Sequence, residues 1–188
     1  MQIAITGASS TGKTTLSKRV ITNKYFQDKA ILRLNVDARE LLRSFDIKNM
    51  DKMSILQKKK FQIEYFKKKK LLEEKKDNFI TERSFVDVAA YWSVKNLFID
   101  SIDEHNEFIL SCLKKSLNYD LHIFIPFGLI PFQPDGYRSN DLEFHKKIDR
   151  QIFSYLEDWS INYIEIKKSS VEERVKEVIG ALSGLDLR

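Results

Sequence analysis

Gly7-Ala8-Ser9-Ser10-Thr11-Gly12-Lys13-Thr14 decides the fold of this chain. The stretch fits G-x-x-x-x-G-K-[ST] without a mismatch. Its flanks fit as well, with an apolar run at 2–6 before it and a segment of helical spacing at 14–23 after it. Glycines let the backbone curl so that successive N–H groups point inward at phosphate oxygens. The helix that follows adds its free N–H groups and the positive end of its dipole. On this reading Gly7, Ser9, Ser10, Thr11, Gly12, Lys13, Thr14 and Thr15 bind nucleotide phosphates. Lys13 reaches the β- and γ-phosphates, and the Thr14 hydroxyl coordinates Mg²⁺. The loop alone names no reaction, because several classes of nucleotide-using protein share it.

Working outward, further short apolar runs at 31–34, 78–81, 121–125 and 163–166 read as buried strands. Helical spacing fills the intervals at 38–44, 54–76, 84–97, 102–117, 141–159 and 171–182. Strands alternating with helices predict an α/β domain with a mainly parallel sheet. Such sheets bind ligands beyond the carboxyl ends of their strands. The residues just after each apolar run are therefore the candidates for chemistry.

The 188 residues suit one compact domain, taken as 1–188. With 43% apolar and 31% charged residues, wholesale disorder is excluded. The single cysteine excludes an internal disulfide and any Cys/His zinc spacing. A net charge of +5 leans towards phosphate-bearing partners and identifies none. No apolar stretch is long enough to span a membrane, and residues 1–5 lack a basic leader. The expected setting is reducing and cytoplasmic.

The acids at strand ends come next. Asp37 follows the second run and begins a helical segment, so a helix cap alone would account for it. It is equally placed to serve as base or orienting group for an acceptor hydroxyl. Arg39 pairs with a neighbour or contacts phosphate. Glu82-Arg83 at the end of the third run reads as a metal-and-phosphate pair, or as ordinary acid placement before a helix. Asp87 and Tyr91, four apart, share one helix face and are candidates for a pocket edge. Residues 126–136 hold all three prolines and two glycines, and precede a helix with Lys146, Lys147 and Arg150. That arrangement suits a mobile basic flap; an ordinary surface loop is the alternative.

The segments 7–16 (GASSTGKTTL), 36–42 (VDARELL), 79–92 (FITERSFVDVAAYW) and 119–138 (YDLHIFIP…PDGYR), with a tail at 172–179 (EERVKEVI), together resemble a known family. They are similar to the P-loop nucleoside and nucleotide kinases, and most of all to the NadR-like, ribosylnicotinamide kinase type of AAA-type ATPase/kinase. That family more often carries Glu at position 37 and Asp at position 82. The resemblance implies a three-layer P-loop NTPase fold: a five-stranded parallel sheet, helices on both faces, and a lid over about 126–150. It implies Asp37 near the acceptor hydroxyl, Arg83 near the phosphates, and a lid beginning at Asp135-Gly136-Tyr137-Arg138. Arg138 is the first choice for the lid arginine and Arg150 the second.

The expected activity is transfer of the γ-phosphoryl group of ATP to a nucleoside or nucleotide-like acceptor. Lys13, Asp37, Arg83 and Arg138 are the catalytic candidates. Thr14 and Glu82 hold Mg²⁺, and Asp37, Arg39, Arg83, Asp87 and Tyr91 hold the acceptor. Two alternatives stand beside it: a regulatory ATPase without an acceptor, and a kinase acting on a polynucleotide end or a modified base in DNA. The lysine-rich segment at 58–76 motivates the latter, although a long amphipathic helix explains it more simply. A homodimer is among the expected assemblies. His122 and Cys112 read as core residues.

Overall fold

The computed structural model describes residues 1–47, 50–97, 101–134 and 139–185. Five strands form one sheet: β1 (Gln2–Thr6), β2 (Leu32–Leu34), β3 (Phe79–Glu82), β4 (Leu121–Phe124) and β5 (Tyr163–Glu165). Their order is β2-β3-β1-β4-β5, and every pairing is parallel. The helices among the described residues are α1 (Lys13–Val20), α2 (Lys24–Asp28), α3 (Ala38–Ser44), α4 (Ile55–Glu73), α5 (Phe85–Val94), α6 (Ile102–Ser116), α7 (Leu142–Asp158) and α8 (Val171–Leu185).

The central place of β1 follows from its composition. Ile3, Ala4 and Ile5 are wholly buried, as a strand covered on both faces must be. Side chains alternate across the sheet. Ile3, Ile5, Ile80 and Ile123 pack with Leu16 of α1 and Val178 of α8 on one face. Ala4 and Phe79 face the other way, with Phe61 of α4, Phe85 of α5 and Cys112 of α6. Phe124 joins α5 and α7 in a third cluster through Val86, Ile148 and Ile152. The sheet thus lies between two helical layers, as expected.

Differences from the expected boundaries have local causes. The helical spacing at 14–23 breaks after Val20, because Asn23 starts a new helix instead of continuing the old one. Its Oδ1 accepts the Tyr25 N–H at 3.0 Å. The strand expected at 78–81 runs to Glu82, which brings that carboxylate into the sheet. The helix expected at 54–76 ends at Glu73, and its start is fixed by a capping box between Ser54 and Gln57. The helix expected at 84–97 ends at Val94, and α8 continues to Leu185.

The lysines of α4 do not form one free basic face. Lys67 pairs with Glu64 at 3.0 Å and Lys59 with Glu104 of α6 at 2.5 Å. Lys69 points into the core. Cys112 is fully buried, and burial pushes its thiol well above the usual range. Among the described residues no helix is long and apolar enough to cross a membrane.

Candidate active site

A cavity of about 880 Å³ opens beyond the carboxyl ends of β1, β2 and β3, where a parallel sheet of this order leaves room for a ligand. Residues 9–15 of the loop line it. Asp37, Arg39, Leu42, Phe61, Gln62 and Tyr65 line it as well, and so do Ile130, Pro131 and Gln133; the Gln133 carbonyl accepts the Ser10 hydroxyl at 3.0 Å.

The loop leaves β1 through backbone that only glycine adopts without strain. Gly7 has φ +145°, and a Cβ there would sit 2.5 Å from the Ile125 carbonyl oxygen. Gly12 has φ +86° and closes the curl as the N-cap of α1. Lys13, 7% exposed, folds back over the loop. Its ammonium donates to the Gly7 carbonyl at 2.7 Å, to the Ala8 carbonyl, and to Thr11 Oγ1 at 3.1 Å. Those carbonyls hold the charge in the concavity that a phosphate chain would fill.

Thr14 and Glu82 meet at the head of α1. The Thr14 hydroxyl donates to Glu82 Oε2 at 2.5 Å, and Ser17 Oγ donates to Oε1 at 2.6 Å. Arg33, on the neighbouring strand β2, donates to Oε1 at 2.5 Å. Burial alone would raise the Glu82 pKa. Hydrogen bonds from Ser17, Thr14 and Arg33 outweigh it and hold the carboxyl below its ordinary value. An ionised carboxylate beside a hydroxyl is a hard oxygen pair of the kind Mg²⁺ takes. Among the described residues no group of three or more His, Cys, Asp or Glu side chains gathers to hold a metal alone. A magnesium ion here would therefore draw its other ligands from water and nucleotide phosphate.

Arg83 turns the chain out of β3 with φ +62°, while its N–H still bonds the Ile5 carbonyl at 2.8 Å. Its guanidinium therefore leaves the sheet on the side away from Glu82. Nη2 donates to Ser9 Oγ at 3.3 Å, and Nη1 lies 3.7 Å from Asp87 Oδ1. The group sits over the Tyr91 ring at 5.0 Å. Burial would lower its pKa, but Tyr91 and Asp87 more than compensate, so it stays charged. The Tyr65 phenol is pushed up, chiefly by burial, and remains a proton-bearing donor.

Asp37 caps α3, with Oδ1 accepting the Arg39 N–H at 2.8 Å. Arg39 lines the same cavity. Asp87 and Tyr91 line it too, and their polar atoms turn to the loop. Asp87 receives the Gly7 N–H at 3.2 Å and the Thr6 hydroxyl at 2.5 Å. The Tyr91 hydroxyl and Ser9 Oγ share a hydrogen bond of 2.9 Å.

One cavity thus gathers Ser9, Ser10, Thr11, Gly12, Lys13, Thr14 and Thr15 with Asp37, Arg39, Glu82, Arg83, Asp87 and Tyr91. Gly7 lies beneath the loop. Arg138, and with it the stretch Asp135-Gly136-Tyr137-Arg138, falls outside the described residues. Arg150 lines a different, shallow cavity with Ser93 and Lys147.

Sequence reasoning passed over three contributors. Arg33 sits in a run read as apolar, where a lone charge was the available signal. Ser17 is one helical turn beyond Thr14. Gln62 is an amide on the apolar face of α4, 5% exposed, with Nε2 bonded to the Val88 carbonyl at 2.8 Å.

The chain belongs to the AAA domain family, whose model matches residues 2–174. No curated protein matches the sequence. Several solved structures share the fold. One is deoxyadenosine kinase from M. mycoides with dCMP and a flexible dCDP bound, at TM-score 0.69 and 14% identity, covering 98% of this chain and all of that one. Another is thymidylate kinase from Ehrlichia chaffeensis, at TM-score 0.67 and 15% identity, covering 97% and 98%. A third is the NadR protein in complex with NR, at TM-score 0.66 and 15% identity, covering 96% of this chain and 49% of that one. The fold is that of the P-loop nucleoside and nucleotide kinases.

Proposed function

We propose that this chain transfers the γ-phosphoryl group of ATP to a hydroxyl of a nucleoside or nucleotide-like small molecule. The observation that carries the reading is a shared cavity. The phosphate loop and the aromatic and amide side chains of Phe61, Gln62 and Tyr65 line one volume. A nucleotide switch without an acceptor has no use for that additional lining, so the cavity favours a transferase.

In this reading Lys13 and the loop amides hold the β- and γ-phosphates. Thr14 and Glu82 hold Mg²⁺, which when bound supplies neutralisation of phosphate charge. Asp37 keeps Oδ1 on the helix cap and has Oδ2 for the acceptor hydroxyl, orienting it or taking its proton. Arg83 stays charged beside Ser9 and steadies the charge on the passing phosphoryl group. The Tyr65 phenol and the Gln62 amide offer polar contacts to the edge of a base, and Phe61 offers a face. Little covalent chemistry is asked of the protein; positioning and electrostatics dominate.

The test is a panel of nucleosides and nucleoside monophosphates with ATP and magnesium, read by product mass. A phosphorylated product that disappears in Lys13→Ala, while that variant keeps its fold, is the expected result. Slow phosphate release that no acceptor alters would show a regulatory ATPase instead.

A further inference from the structure

Asp87 lines the cavity but is only 1% exposed, and its carboxylate is taken up by the protein itself. Its Oδ2 receives the Thr6 hydroxyl at 2.5 Å, the Ser84 N–H at 2.8 Å and the Ser84 hydroxyl at 3.2 Å. Its Oδ1 receives the Gly7 N–H at 3.2 Å and lies 3.7 Å from Arg83 Nη1. Both oxygens are thus occupied by protein donors. Thr6 ends β1, Gly7 starts the phosphate loop, and Ser84 is the N-cap of α5. One carboxylate therefore joins the strand-to-loop bend to the helix that follows Glu82 and Arg83. One turn further along α5, Tyr91 grips the same loop at Ser9.

We propose that Asp87 is a positioning residue for phosphoryl transfer, which holds the phosphate loop and Arg83 in a fixed relation to each other rather than contacting substrate. The inference rests on the kinase reading above. A loop that binds through backbone N–H groups works only if those groups already point inward, since reorganising them would consume binding energy. Gly7 has little backbone preference of its own, so something else must set it. The acid at position 87 does so and balances the charge of Arg83. An amide cannot replace it. At Oδ2 two Ser84 donors and a hydroxyl converge, and an Asn would turn either an N–H against them or its N–H at the Gly7 amide.

Three variants test this: Asp87→Asn, Thr6→Val and the pair together. The readouts are Mg·ADP affinity by calorimetry, melting temperature, and KM for ATP and for the acceptor separately. The expected result for Asp87→Asn is ADP binding weakened about tenfold or more, as for loss of a charge-assisted hydrogen bond. The ATP KM rises with it while the acceptor KM holds. Thr6→Val shifts ADP binding the same way by less. The double variant is less damaging than the sum of the two, because the Thr6–Asp87 hydrogen bond is common to both. Should Asp87→Asn fail to fold, Thr6→Val, which keeps the shape and drops one hydroxyl, carries the comparison. Unchanged ADP affinity in Thr6→Val and in any folded Asp87→Asn, with only the melting temperature lowered, would overturn the proposal. Wild-type protein that binds no Mg·ADP would instead remove the kinase reading on which it stands.

Discussion

Arg33 Nη2 lies 2.5 Å from Glu82 Oε1, and the same arginine donates through Nε to Ser17 Oγ at 2.8 Å. Ser17 in turn donates to Oε1 at 2.6 Å, so three side chains close a ring. The sheet dictates this meeting. Arg33 pairs with Ile80 across β2 and β3, and Ile80 and Glu82 share a face, the one covered by α1. The Glu82 carboxylate is thereby held ionised with Oε2 towards Thr14.

Removing that arginine leaves a mostly buried carboxylate with hydroxyl donors alone. Arg33→Met is expected to lower stability by about 2 kcal/mol, read as a shift in the urea midpoint. Arg33→Lys recovers only part of this, because one ammonium cannot occupy both the Nε and Nη2 positions. A lysine variant as stable as wild type would show that charge alone matters here.

The loop glycines differ in what confronts an added methyl group. At Gly7 it meets the Ile125 backbone oxygen at 2.5 Å, which cannot move aside. At Gly12 it meets Arg174 Nη1 at 2.9 Å and Ile130 Cδ1 at 3.2 Å, both ends of side chains. Both positions also have positive φ. Gly7→Ala is expected to cost about 3 kcal/mol or more and Gly12→Ala about 2 kcal/mol. Thermal melts of the two variants give the order directly, and Gly12→Ala as damaging as Gly7→Ala would contradict it.

Acid should weaken the fold through His122. The ring lies wholly buried in β4, its edge against Tyr119, and neither nitrogen has a hydrogen-bond partner among the described residues. Burial first, and Lys69 second, lower its pKa from 6.5 to about 3. Between those two values the unfolded chain binds a proton that the folded chain refuses. Stability therefore rises with pH across that window, by about 1.4 kcal/mol per pH unit from this residue. Urea titrations through the window should show His122→Phe with a shallower slope than wild type. An equal slope would assign the acid sensitivity elsewhere.

A buried ion pair sits beneath the same strands. Lys69 Nζ lies 2.5 Å from Glu73 Oε1 and donates to Thr81 Oγ1 at 2.9 Å, while the Tyr119 hydroxyl donates to Glu73 Oε2 at 2.8 Å. Burial is the main cause that lowers the Lys69 pKa, with Glu73 opposing it. Lys69→Met should destabilise by about 3–5 kcal/mol, because it strands the Glu73 charge. Lys69→Met with Glu73→Leu should recover much of that loss in the same denaturation assay. No recovery would mean the pair does more than balance itself.

The parts of the molecule written in local chemistry were legible before any coordinates. The glycine spacing at 7 and 12 announced the loop, and short apolar runs announced the strands. What escaped depends on partners distant in sequence. Nothing near Arg33 says that Glu82, forty-nine positions on, will lie beside it. The occupancy of Asp87 is likewise decided by β1, eighty or so residues earlier. Helix ends were misjudged where a cap competed with spacing, as at Asn23. The shift of β3 by one residue, to Glu82, follows from pairing with β1, where Glu82 stands opposite Ile5.

That last pairing constrains the junction between β3 and α5. Glu82 and Arg83 are adjacent in the chain, but the pleat and the left-handed turn send them to opposite flanks of the curl, one to Thr14 and one to Ser9. Inserting a single residue between Glu82 and Arg83 would leave Glu82 opposite Ile5 and break the relation of Arg83 to Ser9. The length of this junction is therefore as constrained as its side chains.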